Sequence, residues 1–124
     1  DCVLVDAPCS GLGVIHNKPD IKIRITKDIV KSLTDVQWDI LSMCSRYVKP
    51  GGVLVYSTCT INPLENENIV YRFIDSFKEY KQDDISVPHT LDKAVTDKGI
   101  MQILPGRDGI DGFFICKFRR SYNG

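Results

Sequence analysis

The sequence predicts an α/β fold, with helices layered on a sheet that has a parallel core and an antiparallel edge. Three observations lead there. Two apolar runs, DCVLVD at the start and VLVYST from Val53 to Thr58, resemble parallel strands covered on both faces. Each is followed by a segment of helical periodicity. Two further strand-like runs, GIMQIL (Gly99 to Leu104) and FFICKF (Phe113 to Phe118), flank the turn-rich PGRDGIDG, which reads as a loop joining antiparallel neighbours. An order of strand, helix, strand, helix and two strands builds such layers.

The first run stops at Asp6 and gives way to a small-residue loop, Ala7 to Gly13. A basic segment with His16, Lys18, Lys22, Arg24 and Lys27 follows. Thr26 is placed to cap a short helix. Thr34 is placed to restart one, with Gln37 three residues on at the capping-box spacing. Val36, Ile40, Leu41, Cys44 and Val48 then share a helical face, and Lys49-Pro50-Gly51-Gly52 ends the helix. After the second strand, Asn62 is placed to cap another helix, with Pro63 at its first position and Glu65 at its third. Ile69, Val70, Phe73, Ile74 and Phe77 form its buried stripe. From Tyr80 to the third strand the chain is polar and irregular, and the tail after Arg119 reads as frayed.

The chain has 124 residues, enough for one modest domain. With 43% apolar and 26% charged residues it has the composition of a globular protein, and 16 basic side chains balance 16 acidic ones. A zero net charge neither advertises nor excludes nucleic acid, because a local basic patch is enough to bind it. No apolar run approaches a membrane span and the start is not that of a signal peptide, so a cytoplasmic location is expected. The five cysteines form no CxxC pair and no histidine sits at metal-ligand spacing. Neither a metal site nor a disulfide framework is therefore expected. Cys2, Cys44 and Cys116 lie inside apolar runs and read as packing.

Cys9 and Cys59 are different. Each lies among small polar residues just past the end of a predicted strand, in VDAPCSG and VYSTCT. In α/β sheets ligands sit beyond the carboxyl ends of the strands, so neighbouring strands would turn Asp6, Cys9 and Cys59 toward one crevice. A thiolate adds readily to an electron-poor ring carbon and later leaves. A carboxyl group beside it can hold or protonate a ring nitrogen. Such parts suit methyl transfer to carbon 5 of a pyrimidine after thiol addition at carbon 6.

The motifs DAPCSG (Asp6 to Gly11), KPDIK (Lys18 to Lys22), KPGGVLVYSTCTINPLENE (Lys49 to Glu67) and LPGRDGIDGFFICKF run through nearly the whole chain. In this order they resemble the NOL1/NOP2/Sun family of RNA cytosine-5 methyltransferases, and GVIHNKPDIKIRIT is most similar to its bacterial RsmB/Sun branch. The resemblance implies a partial Rossmann-like class I fold that uses S-adenosylmethionine, and a cytosine of 16S ribosomal RNA as substrate. It implies that Cys59 is the nucleophile, that Cys9 assists product release, and that Asp6 contacts both the cytosine ring and the methyl donor. Pro8 would shape the base pocket. Lys22, in the basic stretch after the first loop, would lie along the RNA backbone.

The resemblance also implies that residues 1–124 are the C-terminal portion of a catalytic domain. The family's glycine-rich cofactor loop and RNA-binding regions lie upstream of such a portion. Little activity is then expected of this chain alone, and self-association through an uncovered strand edge at residues 2–6 is expected. Two alternatives stay open. Cys9 could be the attacking thiol, as in DNA methyltransferases with a Pro-Cys nucleophile, or the chain could be a non-catalytic RNA-binding module with inert thiols. Glu65 and Glu67, near a helix start, read as capping and dipole residues rather than a catalytic pair.

Overall fold

A computed structural model describes residues 2–8, 27–60, 62–86, 94–103 and 112–122. In chain order it contains β1 (Cys2–Asp6), α1 (Lys27–Cys44), a 3-10 turn (Ser45–Tyr47), β2 (Val53–Thr58) and α2 (Glu67–Ser76). Then come β3 (Tyr80–Gln82), β4 (Val95–Asp97), β5 (Ile100–Ile103) and β6 (Phe113–Arg120). One sheet runs in the order β1-β2-β6-β5-β4, and β3 also pairs with β6. β1 and β2 are parallel, and the other described pairs are antiparallel. The predicted α/β class and the antiparallel β5–β6 pair are both present. The short strands β3 and β4 fall in the stretch whose polarity had suggested irregular chain. Their partners on β6 and β5 supply the order that their own composition does not.

β6 organises the sheet because it is bonded on both edges. Phe114, Cys116 and Phe118 alternate inward and are completely buried, together with Leu54 and Tyr56 of β2. Against this face pack Leu41 of α1, Val48, and Ile69, Val70 and Phe73 of α2. Met101, Ile103 and Ala94 form a smaller cluster with Phe113 and Ile115. Phe73 is the hub of the larger core, with its ring 4.7 Å from Phe77, 4.9 Å from Phe118 and 5.1 Å from Tyr80. Trp38 meets its edge at 6.4 Å, and the Arg72 guanidinium lies 3.9 Å over the Trp38 ring. The helix thus joins α1, β3 and β6 through one side chain.

α1 is one continuous helix from Lys27 to Cys44, not two short ones. The Thr34 hydroxyl donates to the Lys31 carbonyl within the helix at 2.8 Å, so it does not start a new one. The helix continues because Val30, Gln37 and Leu41 form a single buried face, while Val36, placed on that face by sequence spacing, is 43% exposed. Thr26 lies outside the described residues. Past the 3-10 turn, the Gly52 amide donates to the Lys49 carbonyl at 2.8 Å around Pro50 and Gly51. Gly51 has φ +81°, the left-handed value that the third residue of such a turn requires.

β1 is the outermost described strand and only its Val5 is fully buried. Cys2 and Leu4 point to the face opposite α1 and are exposed, Leu4 by 65%. That corrects the expectation of a strand covered on both sides and of Cys2 as packing. Cys44 does pack against the core, and burial pushes the Cys116 thiol far up. At the other end of the chain, β6 stays ordered through Arg120. Arg119 donates to Asp83 at 2.9 Å, which holds that carboxyl below its usual range, and Ser121 donates to the Glu79 carbonyl at 2.8 Å. None of the described helices is long and apolar enough to cross a membrane.

Because Phe73 is fully buried and touches aromatic rings from three other elements, its truncation leaves a large void. Phe73→Ala is expected to lower the unfolding free energy by about 3–5 kcal/mol, read as a reduced urea midpoint. A loss under ~1 kcal/mol would mean that the core closes around the gap.

Candidate active site

The site follows from the register of the one parallel pair. Val5 lies opposite Tyr56 and Asp6 opposite Ser57, so β1 and β2 finish at the same level. The ladder extends one residue further, where the Ala7 amide donates to the Ser57 carbonyl at 2.9 Å. Asp-Ala-Pro and Ser-Thr-Cys therefore leave the sheet side by side, beyond the strand ends where α/β proteins hold ligands.

Asp6 is exposed, and its Oδ1 accepts a hydrogen bond from the buried Ser57 hydroxyl at 3.2 Å. That bond orients the carboxylate without burying it. Pro8 is exposed, and Cys59 is half-buried rather than sealed in the core. Of the residues the sequence picked out, Asp6, Pro8 and Cys59 thus meet at one end of the sheet. Cys9 and Lys22, with His16 and the rest of the basic stretch up to Arg24, lie outside the described residues.

Beneath this end is a layer of buried polar side chains. Asn66 is fully buried and makes three hydrogen bonds. Its Oδ1 accepts from Thr58 Oγ1 at 2.6 Å, and its Nδ2 donates to the Thr60 carbonyl at 2.9 Å and to Gln102 Oε1 at 3.0 Å. Gln102 in turn donates to the carbonyls of Ile103 and Phe113, each at 3.1 Å. Glu65, also fully buried, accepts from Thr60 Oγ1 at 3.3 Å and from Gln37 Nε2 at 3.1 Å, while its carbonyl accepts from the Tyr56 hydroxyl at 2.8 Å. Residues 58 and 60, on either side of Cys59, are therefore both gripped from below.

Three sequence expectations are corrected here. Glu65 does not serve as a helix-capping carboxylate, because α2 begins only at Glu67 and the Glu65 side chain turns inward. Asn62 does cap locally, its Oδ1 accepting from the Leu64 amide at 3.0 Å, but it closes a separate turn ahead of the helix. Gln37 is not a capping-box residue either. It sits mid-helix, fully buried, with its amide directed at Glu65 and at the Pro8 carbonyl, 2.8 Å away. The available signal was a polar residue spaced seven from Val30 and four from Leu41, on an otherwise apolar face. Glu67, by contrast, does lie in the first turn of α2, where partial burial raises its carboxyl above the usual value.

Residues 1–119 match the family described as 16S rRNA methyltransferase RsmB/F. The chain belongs to that family. It is 43% identical over 123 residues to the probable ribosomal RNA small subunit methyltransferase B of Bacillus subtilis, which covers 97% of this chain and 27% of the relative. It is 37% identical over 125 residues to the ribosomal RNA small subunit methyltransferase F of Aliivibrio fischeri, covering 98% of this chain and 26% of that one. The chain thus spans about a quarter of the length of these curated relatives, and both the B and the F enzymes of the RsmB/F family resemble it. Among solved structures, NSun6 from Pyrococcus horikoshii with SFG superposes with a TM-score of 0.78 at 31% identity, over 94% of this chain and 29% of that one. The α/β arrangement seen here is shared with that solved structure, as expected of a partial Rossmann-like fold.

The buried layer makes Asn66 costly to replace. Asn66→Ala strips partners from Thr58, the Thr60 carbonyl and Gln102 at once, and unsatisfied buried groups cost ~1–3 kcal/mol each. A loss of about 3 kcal/mol in urea denaturation is expected. A neutral substitution would show that water enters and satisfies those groups.

Proposed function

We propose that the protein carrying this chain methylates carbon 5 of a cytosine in RNA, with 16S ribosomal RNA as substrate, through a covalent Cys59 adduct. The observation that supports this most is the parallel β1–β2 register, which brings an anchored carboxylate and a partly accessible thiol to adjacent loop starts. Membership of an rRNA methyltransferase family supports the substrate class. S-adenosylmethionine, when bound, supplies the electrophilic methyl group. Asp6 suits that cationic donor, because its exposed carboxylate is fixed by Ser57 at the end of β1. A relative crystallised with SFG, an analogue of that donor, points the same way.

The roles given to this chain's residues are those the family resemblance implies, and the chemistry of each side chain suits its role. After losing its proton, Cys59 Sγ adds to carbon 6 of the ring. Asp6, hydrogen-bonded to the ring, favours the build-up of electron density at carbon 5, which takes the methyl group. Carbon 5 then gives up its proton to solvent water, that electron pair restores the ring double bond, and the carbon–sulfur bond breaks to return the Cys59 thiolate. Cys9 assists this release. Pro8 limits one wall of the base pocket, and Lys22 contacts the RNA backbone.

In the full-length protein with 16S transcript and methyl donor, Cys59→Ala is expected to abolish the protein–RNA adduct seen on denaturing gels. Cys9→Ala is expected to retain and accumulate it. The opposite pattern would make Cys9 the nucleophile, and RNA binding without any adduct in the unmodified protein would favour a non-catalytic RNA-binding module. The 124-residue chain alone is expected to show little or no methyl transfer to the same transcript. Methylation at the full-length rate would show that the remaining three-quarters of the relatives' length is dispensable for chemistry.

A further inference from the structure

The Gln37 side chain has a part that the proposed chemistry leaves unassigned. It comes from the middle of α1, fully buried, yet it reaches the edge of the site. Its Nε2 donates to the Pro8 carbonyl at 2.8 Å and to Glu65 Oε1 at 3.1 Å. The second Glu65 oxygen accepts from Thr60 Oγ1 at 3.3 Å, and that hydroxyl also accepts from the Asn62 amide at 3.1 Å. A continuous hydrogen-bonded path therefore runs from the Pro8 peptide through the buried Gln37 and Glu65 to Thr60. Pro8 directly precedes Cys9, and Thr60 directly follows Cys59.

The chemistry of this path is specific. Both groups facing the Gln37 amide are acceptors, so only a group with two N–H donors on one atom satisfies them together. A hydroxyl has one hydrogen to give, and a carboxylate has none. In a water-free setting such bonds are stronger than at the surface and the loss of one is not made good by solvent. Proline at position 8 lacks an N–H, so its carbonyl is the polar handle by which that peptide can be fixed. The polar partners described for Gln37 on the neighbouring elements are these two, the Pro8 peptide after β1 and Glu65 ahead of α2.

Given the thiol roles proposed above, on which this inference rests, we infer that Gln37 is a positioning residue for product release. By holding the Pro8 carbonyl to the same carboxylate that grips Thr60, it fixes the peptide that leads into Cys9 relative to the residue that follows Cys59. It touches neither the RNA nor the methyl donor. Its removal loosens the first loop while Asn66 and Glu65 still hold the second, so adduct formation survives and adduct resolution slows.

The test uses the full-length protein, a 16S transcript and S-adenosylmethionine, with adduct formation and decay followed on denaturing gels. Gln37→Met keeps the size of the side chain and removes both donors. It is expected to form adduct at the normal rate and with unchanged KM for RNA, but to resolve it about tenfold or more slowly, since small misplacements of a reacting group have effects of that order. Resolution at the unmodified rate would overturn the inference. Gln37→Glu supplies the check should Gln37→Met fail to fold. The introduced carboxyl then faces the Glu65 carboxyl and has at most one proton to give. In that variant the introduced carboxyl donates to the Pro8 carbonyl when protonated and repels it when ionised. Resolution by Gln37→Glu, relative to unmodified protein, is therefore expected to fall as pH rises, and a pH-independent ratio would overturn the inference. Cys59→Ala and Cys9→Ala run in parallel keep the two ideas separable. If they do not abolish and accumulate the adduct respectively, the thiol assignment fails. If they do and the Gln37 variants behave normally, only the positioning role fails.

Discussion

A fully buried carboxylate and a fully buried carboxamide, Glu65 and Asn66, are the constraint on which the carboxyl end of this sheet depends. Groups of this kind are tolerated in an interior only when hydrogen bonds replace the water they have lost. Here the replacements come from four separate parts of the chain: Gln37 on α1, Tyr56 and Thr58 within β2, Thr60 after it, and Gln102 on β5. Those contacts are directional, and the ones from Thr58 and Tyr56 are 2.6 and 2.8 Å, so the backbone on either side of Cys59 is tied to the interior. Apolar packing would hold the same segment less specifically, because dispersion contacts tolerate sliding. The half-buried thiol is thus flanked by two residues anchored in the core beneath it.

The apolar and polar layers divide the work of the fold. Phe73, Phe118, Leu54 and Leu41 fix α1 and α2 to one face of the sheet, and that attachment brings Gln37 and Glu65 within reach of the strand ends. The parallel register of β1 and β2 then decides which residues meet. A shift of one position would turn Asp6 away from Ser57 and move its carboxylate to the other face. The site is therefore a product of register and of core packing, and neither alone specifies it.

Much of this arrangement is legible in the sequence, and what escapes has a physical reason. The strands β1, β2, β5 and β6 announce themselves by apolar runs, and the turn at Lys49 to Gly52 by its Pro-Gly pair. Asp6, Pro8 and Cys59 stand out because small polar residues at strand ends are readily read as loops near ligands. The layer below is not legible in that way. Gln37, Glu65 and Asn66 all have polar side chains in positions where capping offers a ready local explanation, and only tertiary contacts reveal that they point inward. Helix propensity and capping rules describe a segment in water; burial of the same segment changes which partner its side chains choose. For the same reason β3 and β4, short and polar, become strands only because β6 and β5 offer them free edges.

The position of β6 has a consequence for how the molecule is made. It is the last described strand, yet it pairs with β2 on one side and with β3 and β5 on the other. Gln102, which accepts from Asn66, also donates to the Phe113 carbonyl of that strand. A ribosome delivers the thiol loops long before it delivers this keystone. The nascent polypeptide therefore emerges with the segment around Cys59 lacking its support from β5 and β6, and the interior polar layer is completed only after β6 has been synthesised, when long-range pairing across the sheet closes it.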